Sequence, residues 1–352
     1  MTSLTQLARE IYRRPSIETG WSLEEYCKGS EIRYFSFGRH ALYAALKSIG
    51  VAKGDRVLVP AFICRDLLSS INALGAIPEF YAVEKSLNIK DSPELLPDAR
   101  VILAVNYFGF PQDMEPFRAY CARTGAVLIE DNAHGLLSRD GAGKALGTRG
   151  DFGIFSLRKT VSMPNGAALV LNSDRINCQL PSQLAFSNEP LLASFRLKRV
   201  LSRLVPYTGI FLPRLLTALG RKVRKLRTGH EIAPSPQDAE TRLPENAAPC
   251  AALGDFLARV DETWEVARRR QLYVLLEGLV REAGGEPVFS DLPEHTVPYV
   301  FPFRATGDTL ARIRHRLAKE GLECHPWPDL PDAVAPEAPD YYKSVWMVGF
   351  IW

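Results

Sequence analysis

Residues 101–131 read VILAVNYFGFPQDMEPFRAYCARTGAVLIED. Two short apolar runs, VILAVNY (101–107) and AVLIED (126–131), flank a stretch at 114–123 with helical spacing of its apolar residues. Runs this short and continuous suit strands buried on both faces. A helix between two such strands predicts one crossover unit of a parallel sheet. The alternation extends in both directions. RVLVPA (56–61) and PEFYAV (78–83) come before, FGIFSL (152–157) and AALVLN (167–172) come after, and helical patterns occupy 40–49 and 67–74. The expected fold class is α/β, with a mostly parallel central sheet sandwiched by helices.

After Asn172 that rhythm stops. Residues 176–250 hold a basic stretch and a Pro-containing polar linker, APSPQDAETRLPENAAP. One long helix is expected over 251–283, then a strand at 299–305, a helix at 308–321 and a strand at 322–327, which together make a small α+β unit. The division expected is 1–175 for the large α/β part, 176–250 for the insertion and linker, and 251–352 for the smaller part. The apolar C-terminus, VWMVGFIW, reads as a buried final strand.

Charge is unevenly spread. The chain carries +3 overall, yet 190–230 contains ten Lys or Arg and no Asp or Glu, so the remainder is net acidic. Two readings of that segment stay open: an insertion packed on its own protein, or an amphipathic hairpin touching anionic lipid. Nucleic-acid binding is not expected, because aromatic interleaving is sparse and no recognition motif occurs. No apolar run approaches the roughly 20 residues that span a bilayer; the best, near Val205–Leu215, is broken by Pro206, Gly209 and Pro213. The N-terminus lacks the apolar core of a secretory signal. Six scattered cysteines without a C-x-x-C pair predict reduced thiols, no zinc site and a cytoplasmic protein.

Three groups of residues stand where chemistry collects in such sheets, at the carboxyl ends of strands or the start of the next helix. Gly38-Arg39-His40 opens a helix, whose unpaired N–H groups and partial positive charge suit a phosphate; an ordinary helix start reads the same. Glu130-Asp131-Asn132-Ala133-His134 ends a buried strand. A carboxylate there needs a cationic or hydrogen-bonding partner, for which a protonated pyridine nitrogen serves, as does a plain helix cap with a structural histidine. Ser156-Leu157-Arg158-Lys159 precedes a turn at Asn165-Gly166. Lysine forms imines with aldehydes, and neighbouring cations or desolvation favour its free amine; the bland alternative is a surface Lys-Arg pair.

Taken together, and with GRHALYAAL, GDRVLVPAF, GAIPEFYAV, NYFGFPQDM, LIEDNAH, ALGTRGDFGIFSLRK and NGAALV, these groups resemble the DegT/StrS family of sugar aminotransferases. The likeness is nearly continuous from Phe35 to Asn172 and weaker from Ala251 to Trp327, while 176–245 is unmatched. It implies fold type I of the pyridoxal 5'-phosphate enzymes. By that likeness Lys159 matches the Schiff-base lysine and Asp131 the partner of the pyridine nitrogen. Gly38, Arg39 and His40 match the backbone phosphate cradle, Ser156 its hydroxyl, and His134 a position near the ring's phenolic oxygen. Three features depart from the family. Ser156 and Lys159 stand closer together than usual, Cys64 replaces a ring-stacking aromatic, and the polar motif lent by the partner subunit is missing near Asn246–Ala252. In place of Cys64, His134 is the other candidate to stack on the ring.

The resemblance further implies a homodimer that moves an amino group, with glutamate as donor, onto a nucleotide-linked keto-sugar for glycan biosynthesis. Two alternatives remain. Relatives that carry histidine in place of the lysine are sugar dehydratases, and a non-catalytic scaffold in glycan assembly is the third reading.

Overall fold

The computed structural model describes residues 17–176, 178–187, 236–320 and 322–350, with positions 195, 197, 200, 201 and 226. The basic segment at 190–230, and with it the lipid reading, lies almost wholly outside the described residues. No described helix is long and apolar enough to cross a membrane.

The founding unit forms as its pattern requires. Strand β4 (Val101–Val105) is buried along its whole length, and β5 (Val127–Asp131) lies parallel beside it. The helix between them, α4 (Glu115–Thr124), starts with an acidic residue and a proline in its first turn. It stops at Gly125, whose φ of 74° lets its N–H reach the Cys121 carbonyl. That left-handed position favours glycine.

Around this unit runs a seven-stranded sheet in the order β1-β7-β6-β5-β4-β2-β3, completed by β1 (Glu31–Phe35), β2 (Arg56–Pro60), β3 (Ile77–Tyr81), β6 (Phe152–Phe155) and β7 (Ala167–Leu171). Only β7 runs against the others. All six strands expected here are present. The seventh, β1, was not anticipated: EIRYF is a half-buried edge strand without an apolar run. Helix α2 (Gly38–Ser48) covers one face together with the short α3 (Ser69–Asn72), while α1 (Leu23–Tyr26) and α5 (Leu157–Thr160) pack in a separate cluster against the opposite face of β7. The order reverses between β2 and β4, and in such sheets that switch opens a crevice at the carboxyl ends.

A smaller antiparallel sheet, β10-β11-β9-β8, follows, with β8 (Glu286–Pro287), β9 (Val300–Arg304), β10 (Cys324–Pro326) and β11 (Val345–Gly349). The apolar C-terminal stretch becomes β11, paired on both sides by β9 and β10. Helices α7 (Glu262–Glu282) and α8 (Gly307–Lys319) pack with it, and α9 (Asp340–Lys343) leads into β11. One continuous apolar core runs from Leu58, Ile102 and Leu128 of the large sheet through Phe117 and Tyr120 of α4. It reaches Leu272 and Leu276 of α7, Phe301 and Val348.

The single helix expected over 251–283 is two. Helix α6 (Leu253–Leu257) ends where the Thr19 hydroxyl donates to the Ala258 and Val260 carbonyls. Asp261 then caps α7, accepting the Trp264 N–H at 2.9 Å. Aspartate makes a good first residue because it satisfies an N–H the helix cannot.

The sheet leaves no room for a side chain at Gly153 in β6, where an added Cβ would sit 1.9 Å from the Gly147 carbonyl oxygen. That obstacle is backbone, so Gly153→Ala is expected to cost about 1–3 kcal/mol through overpacking. The urea midpoint of the variant checks this, and an unchanged midpoint contradicts the packing described.

Candidate active site

The crevice at the β2/β4 switch is a cavity of about 810 Å³ including its open mouth. Its floor is Leu103, Val105 and Asn106 from β4, with Ile63 and Cys64 from the turn after β2 and Asp131 from the end of β5. Gly38 and Arg39 at the start of α2 form one wall. The first N–H groups of a helix find no acceptor within it, and the helix dipole adds partial positive charge there. A Cβ on Gly38 would lie 3.9 Å from Ser156 Cβ, so the helix start and the end of β6 abut. Seven of the eight residues singled out in the sequence line this cavity: Gly38, Arg39, Cys64, Asp131, His134, Ser156 and Lys159.

His40 is the exception. Its N–H goes to the Phe37 carbonyl, and its ring bonds the Ser36 hydroxyl at 2.8 Å and the Pro244 carbonyl at 2.9 Å. It ties the first turn of α2 to residues 244–246 and does not face the cavity.

Asp131 is buried, and its Oδ1 accepts the Ala133 N–H at 2.9 Å. Among the described residues no Lys, Arg or His forms an ion pair with it. Burial therefore pushes its carboxyl above the usual aspartate range, opposed by the Ala133 N–H and by Lys159. The preceding residue is treated in the opposite way. Glu130 is fully buried but accepts from Arg149 Nε and Asn106 Nδ2, both at 2.8 Å, and from the Arg149 N–H at 2.7 Å. Successive residues of a strand face opposite sides. One carboxylate is thus neutralised behind the sheet while its neighbour waits, unpaired, in the cavity.

Lys159 stands on the one-turn helix α5, with Nζ 3.0 Å from His134 Nε2. The Phe108 N–H donates to the other ring nitrogen, Nδ1, at 3.2 Å. The imidazole lies nearly parallel to Tyr299, with centroids 4.8 Å apart, and to Phe108, with Trp327 edge-on at 5.4 Å. Burial, with Lys159 beside it, keeps His134 well below the usual histidine range. Cys64 is held protonated, its thiol pushed up to about 12 by burial, and so acts as a neutral packing group. Arg158 lines the cavity with its guanidinium over the Phe37 ring.

Several residues that build the site carried no signal of their own in the sequence. Arg149 and Asn106 lay inside recognised stretches without an assigned role. Arg269, fully buried on α7, donates to the Thr160 carbonyl at 2.8 Å and to the Tyr299 carbonyl at 3.2 Å. It thereby anchors both the turn that carries Lys159, over a hundred residues away, and the residue whose ring packs on His134.

The donor set fits a phosphorylated pyridine aldehyde: an unpaired buried carboxylate, a lysine amine, and a helix start with a serine beside it. The architecture is fold type I of the pyridoxal-phosphate enzymes. A sequence profile described as the DegT/DnrJ/EryC1/StrS aminotransferase family matches residues 21–327, and the chain belongs to that family. It is 28% identical over 204 residues to GDP-perosamine synthase of Vibrio cholerae, covering 53% of this chain and 54% of that protein. The chain thus spans about half the length of that curated relative. Among solved structures it resembles S. venezuelae DesV, with a TM-score of 0.61 and 19% identity over 97% of this chain and 87% of that one. It also resembles E. coli GDP-4-keto-6-deoxy-D-mannose-3-dehydratase with bound hydrated PLP, with a TM-score of 0.57 and 16% identity over 99% and 92%. Both likenesses are to the fold.

The unpaired Asp131 makes a testable demand on the cofactor-free protein. Because burial raises its folded-state pKa, the contribution of this one group to stability is fully present below the unfolded pKa and is lost as pH rises through the folded one. Asp131→Asn removes that loss. The cofactor-free variant is expected to melt higher than wild type at neutral pH, with the gap closing toward about pH 4, the ordinary carboxyl range. Thermal melts across that interval check it; a variant that melts lower at neutral pH would show that Asp131 has a stabilising cation in the protein.

Proposed function

We propose that the chain is a pyridoxal-phosphate-dependent aminotransferase that converts a nucleotide-linked keto-sugar to an amino sugar. The observation that carries this reading is the juxtaposition of Lys159 with an unpaired, buried Asp131 in one cavity. Membership of an aminotransferase family supports the reaction, and likeness to a GDP-perosamine synthase supports the sugar.

Pyridoxal phosphate, when bound, supplies an electron-withdrawing pyridinium that makes the proton on the carbon next to the substrate nitrogen removable. The chain's residues do the rest. Asp131 holds the ring nitrogen protonated, which at the same time gives this carboxylate the cation it lacks. The N-terminus of α2 at Gly38 and Arg39, with the Ser156 hydroxyl, takes the phosphate. Lys159 Nζ would be the covalent anchor for the aldehyde, and its amine would serve as the acid–base group that moves the proton at the reacting carbon. Cys64, a small polarizable group on the cavity lining, would be available to pack against the ring. Glutamate is the donor, and the enzyme works as a cytoplasmic homodimer in glycan biosynthesis. Residues 1–175 form its cofactor-binding part and 251–352 its smaller part.

The dehydratase reading is disfavoured because a lysine, with its own mobile amine, stands at the anchoring position. The scaffold reading is disfavoured because the cavity keeps both its amine and its costly unpaired carboxylate.

Borohydride treatment of the purified protein, followed by peptide mass spectrometry, tests the anchor. A reduced phosphopyridoxyl group is expected on the Lys159 peptide and on no other peptide, and Lys159→Ala should lose it together with turnover of keto-sugar to amino sugar in the presence of glutamate. Absence of bound chromophore from wild type overturns the proposal.

A further inference from the structure

The first turn of α2 is short of acceptors. Phe37 ahead of it has no side chain able to cap, and its carbonyl takes the His40 and Ala41 N–H groups. Among the described residues the N–H groups of Gly38 and Arg39 meet no acceptor. The Ser156 hydroxyl beside them is in the same state. Ser156 is only 5% exposed and lines the cavity, yet its hydroxyl bonds to no described residue. A buried polar group without a partner is costly. A helix start and an unpartnered hydroxyl that converge on one cavity call for an anion.

These donors are neutral and leave the charge of that anion uncompensated. A phosphate monoester carries about −1.5 to −2 near neutral pH, against roughly half a positive charge at a helix start. A full cation must supply the rest. Three Lys or Arg line the cavity: Arg39, Arg158 and Lys159. The guanidinium of Arg39 already faces Asp66 at 3.6 Å. Lys159 touches His134 at 3.0 Å and is the anchoring amine of the proposed function. Arg158 is left. Among the described residues it makes no ion pair, and its guanidinium donates no hydrogen bond. Its place is nonetheless defined. The guanidinium carbon lies 5.2 Å from the centroid of the Phe37 ring, within the reach of a cation–π contact, and the Arg158 N–H bonds the Gly166 carbonyl at 3.2 Å. Phe37 adjoins Gly38 in the chain, so the cation is held against the same helix start as the Ser156 hydroxyl.

We propose that Arg158 is the cation of the phosphate seat: carried on the Phe37 ring, its guanidinium pairs with the cofactor phosphate, alongside the Gly38 and Arg39 N–H groups and the Ser156 hydroxyl. A planar fork of N–H donors suits phosphate oxygens, and arginine keeps its charge at any working pH. The inference rests on the cofactor assigned under the proposed function and adds a charged ligand to it.

Two ligands offered to the cofactor-free full chain separate the phosphate from the ring: pyridoxal 5'-phosphate, and pyridoxal, which lacks it. Binding is read from quenching of tryptophan fluorescence, Trp327 being part of the cavity lining. Arg158→Gln is expected to weaken pyridoxal 5'-phosphate about ten- to a hundredfold, the span of charge-assisted hydrogen bonds, and to leave pyridoxal within about twofold. Arg158→Lys, which keeps the charge and loses the fork, should recover part of the loss. An equal loss of both ligands overturns the inference, since it marks a displaced turn, and so does no loss of either. A raised KM for glutamate in Arg158→Gln with cofactor binding intact also overturns it, and puts the arginine on the donor's carboxylate instead. Inorganic phosphate, followed by its phosphorus-31 NMR line width, probes the seat without the cofactor. Wild type is expected to broaden the line and Arg158→Gln to leave it sharp. Equal lines in the two proteins sink only the role assigned to Arg158. Broadening that depends on Arg158, in a wild type that binds no pyridoxal 5'-phosphate, sinks the proposed function and leaves Arg158 a phosphate ligand.

Discussion

The site depends on an unequal treatment of two adjacent carboxylates at the end of β5. Glu130 is given a full set of partners, Arg149 and Asn106, all buried with it. Removing one member of such a pair costs several kcal/mol, on the order of 3–5, so this contact fixes the strand end in place. Asp131 is given almost nothing: one backbone N–H and a distant lysine. The pleat separates the two, and the fold thus brings a stabilised charge and a destabilised one within one residue of each other. The second is the one able to gain from a cationic ligand, and binding of such a ligand feeds directly into folding stability.

The smaller unit takes part in this geometry. Its core is continuous with that of the large sheet, and α7 sends Arg269 into the interior, where burial lowers its guanidinium to about 10 despite Glu265 beside it. The guanidinium spends its donors on the carbonyls of Pro298, Tyr299 and Thr160. Those carbonyls belong to the loop before β9 and to the turn that carries Lys159. A planar, rigid fork does this where a lysine could not, because the acceptors lie on separate chain segments and must be held at once. Trp327, after β10, closes the same side of the cavity. A sheet that looks appended in sequence therefore sets the positions of the lysine and of the histidine it touches.

What was legible in the sequence follows from how local each signal is. Buried parallel strands advertise themselves as continuous apolar runs, and every such run became a strand. The edge strand β1 did not, since one half-exposed side erases the pattern. The break between α6 and α7 has one local sign, the capping Asp261, and one distant partner, Thr19, more than two hundred residues away, which takes up the Ala258 and Val260 carbonyls. Of the residues expected to carry chemistry at strand ends, Lys159, Asp131 and Ser156 all line the cavity. His40 did not, because its neighbours Gly38 and Arg39 drew it into the same motif while its own N–H was already committed to Phe37. Arg149 and Arg269 were invisible for another reason: a buried arginine looks like any other charged residue until its acceptors are known.

The close spacing of Ser156 and Lys159 is accommodated by the local geometry of the chain. Three residues apart on an extended chain, the two side chains would leave on opposite faces, since the period there is two. Here the chain turns at once into α5, and the Lys159 N–H bonds the Ser156 carbonyl at 3.0 Å. A helical turn brings residues three apart back to one side. Both residues consequently line the same cavity, with Ser156 against the start of α2 and Lys159 one turn further, against His134. Gly166 supplies the return, its carbonyl accepting the Arg158 N–H at 3.2 Å while its own N–H bonds Ser36. The turn thus keeps hydroxyl and amine on one cavity, and its Thr160 carbonyl is held by Arg269.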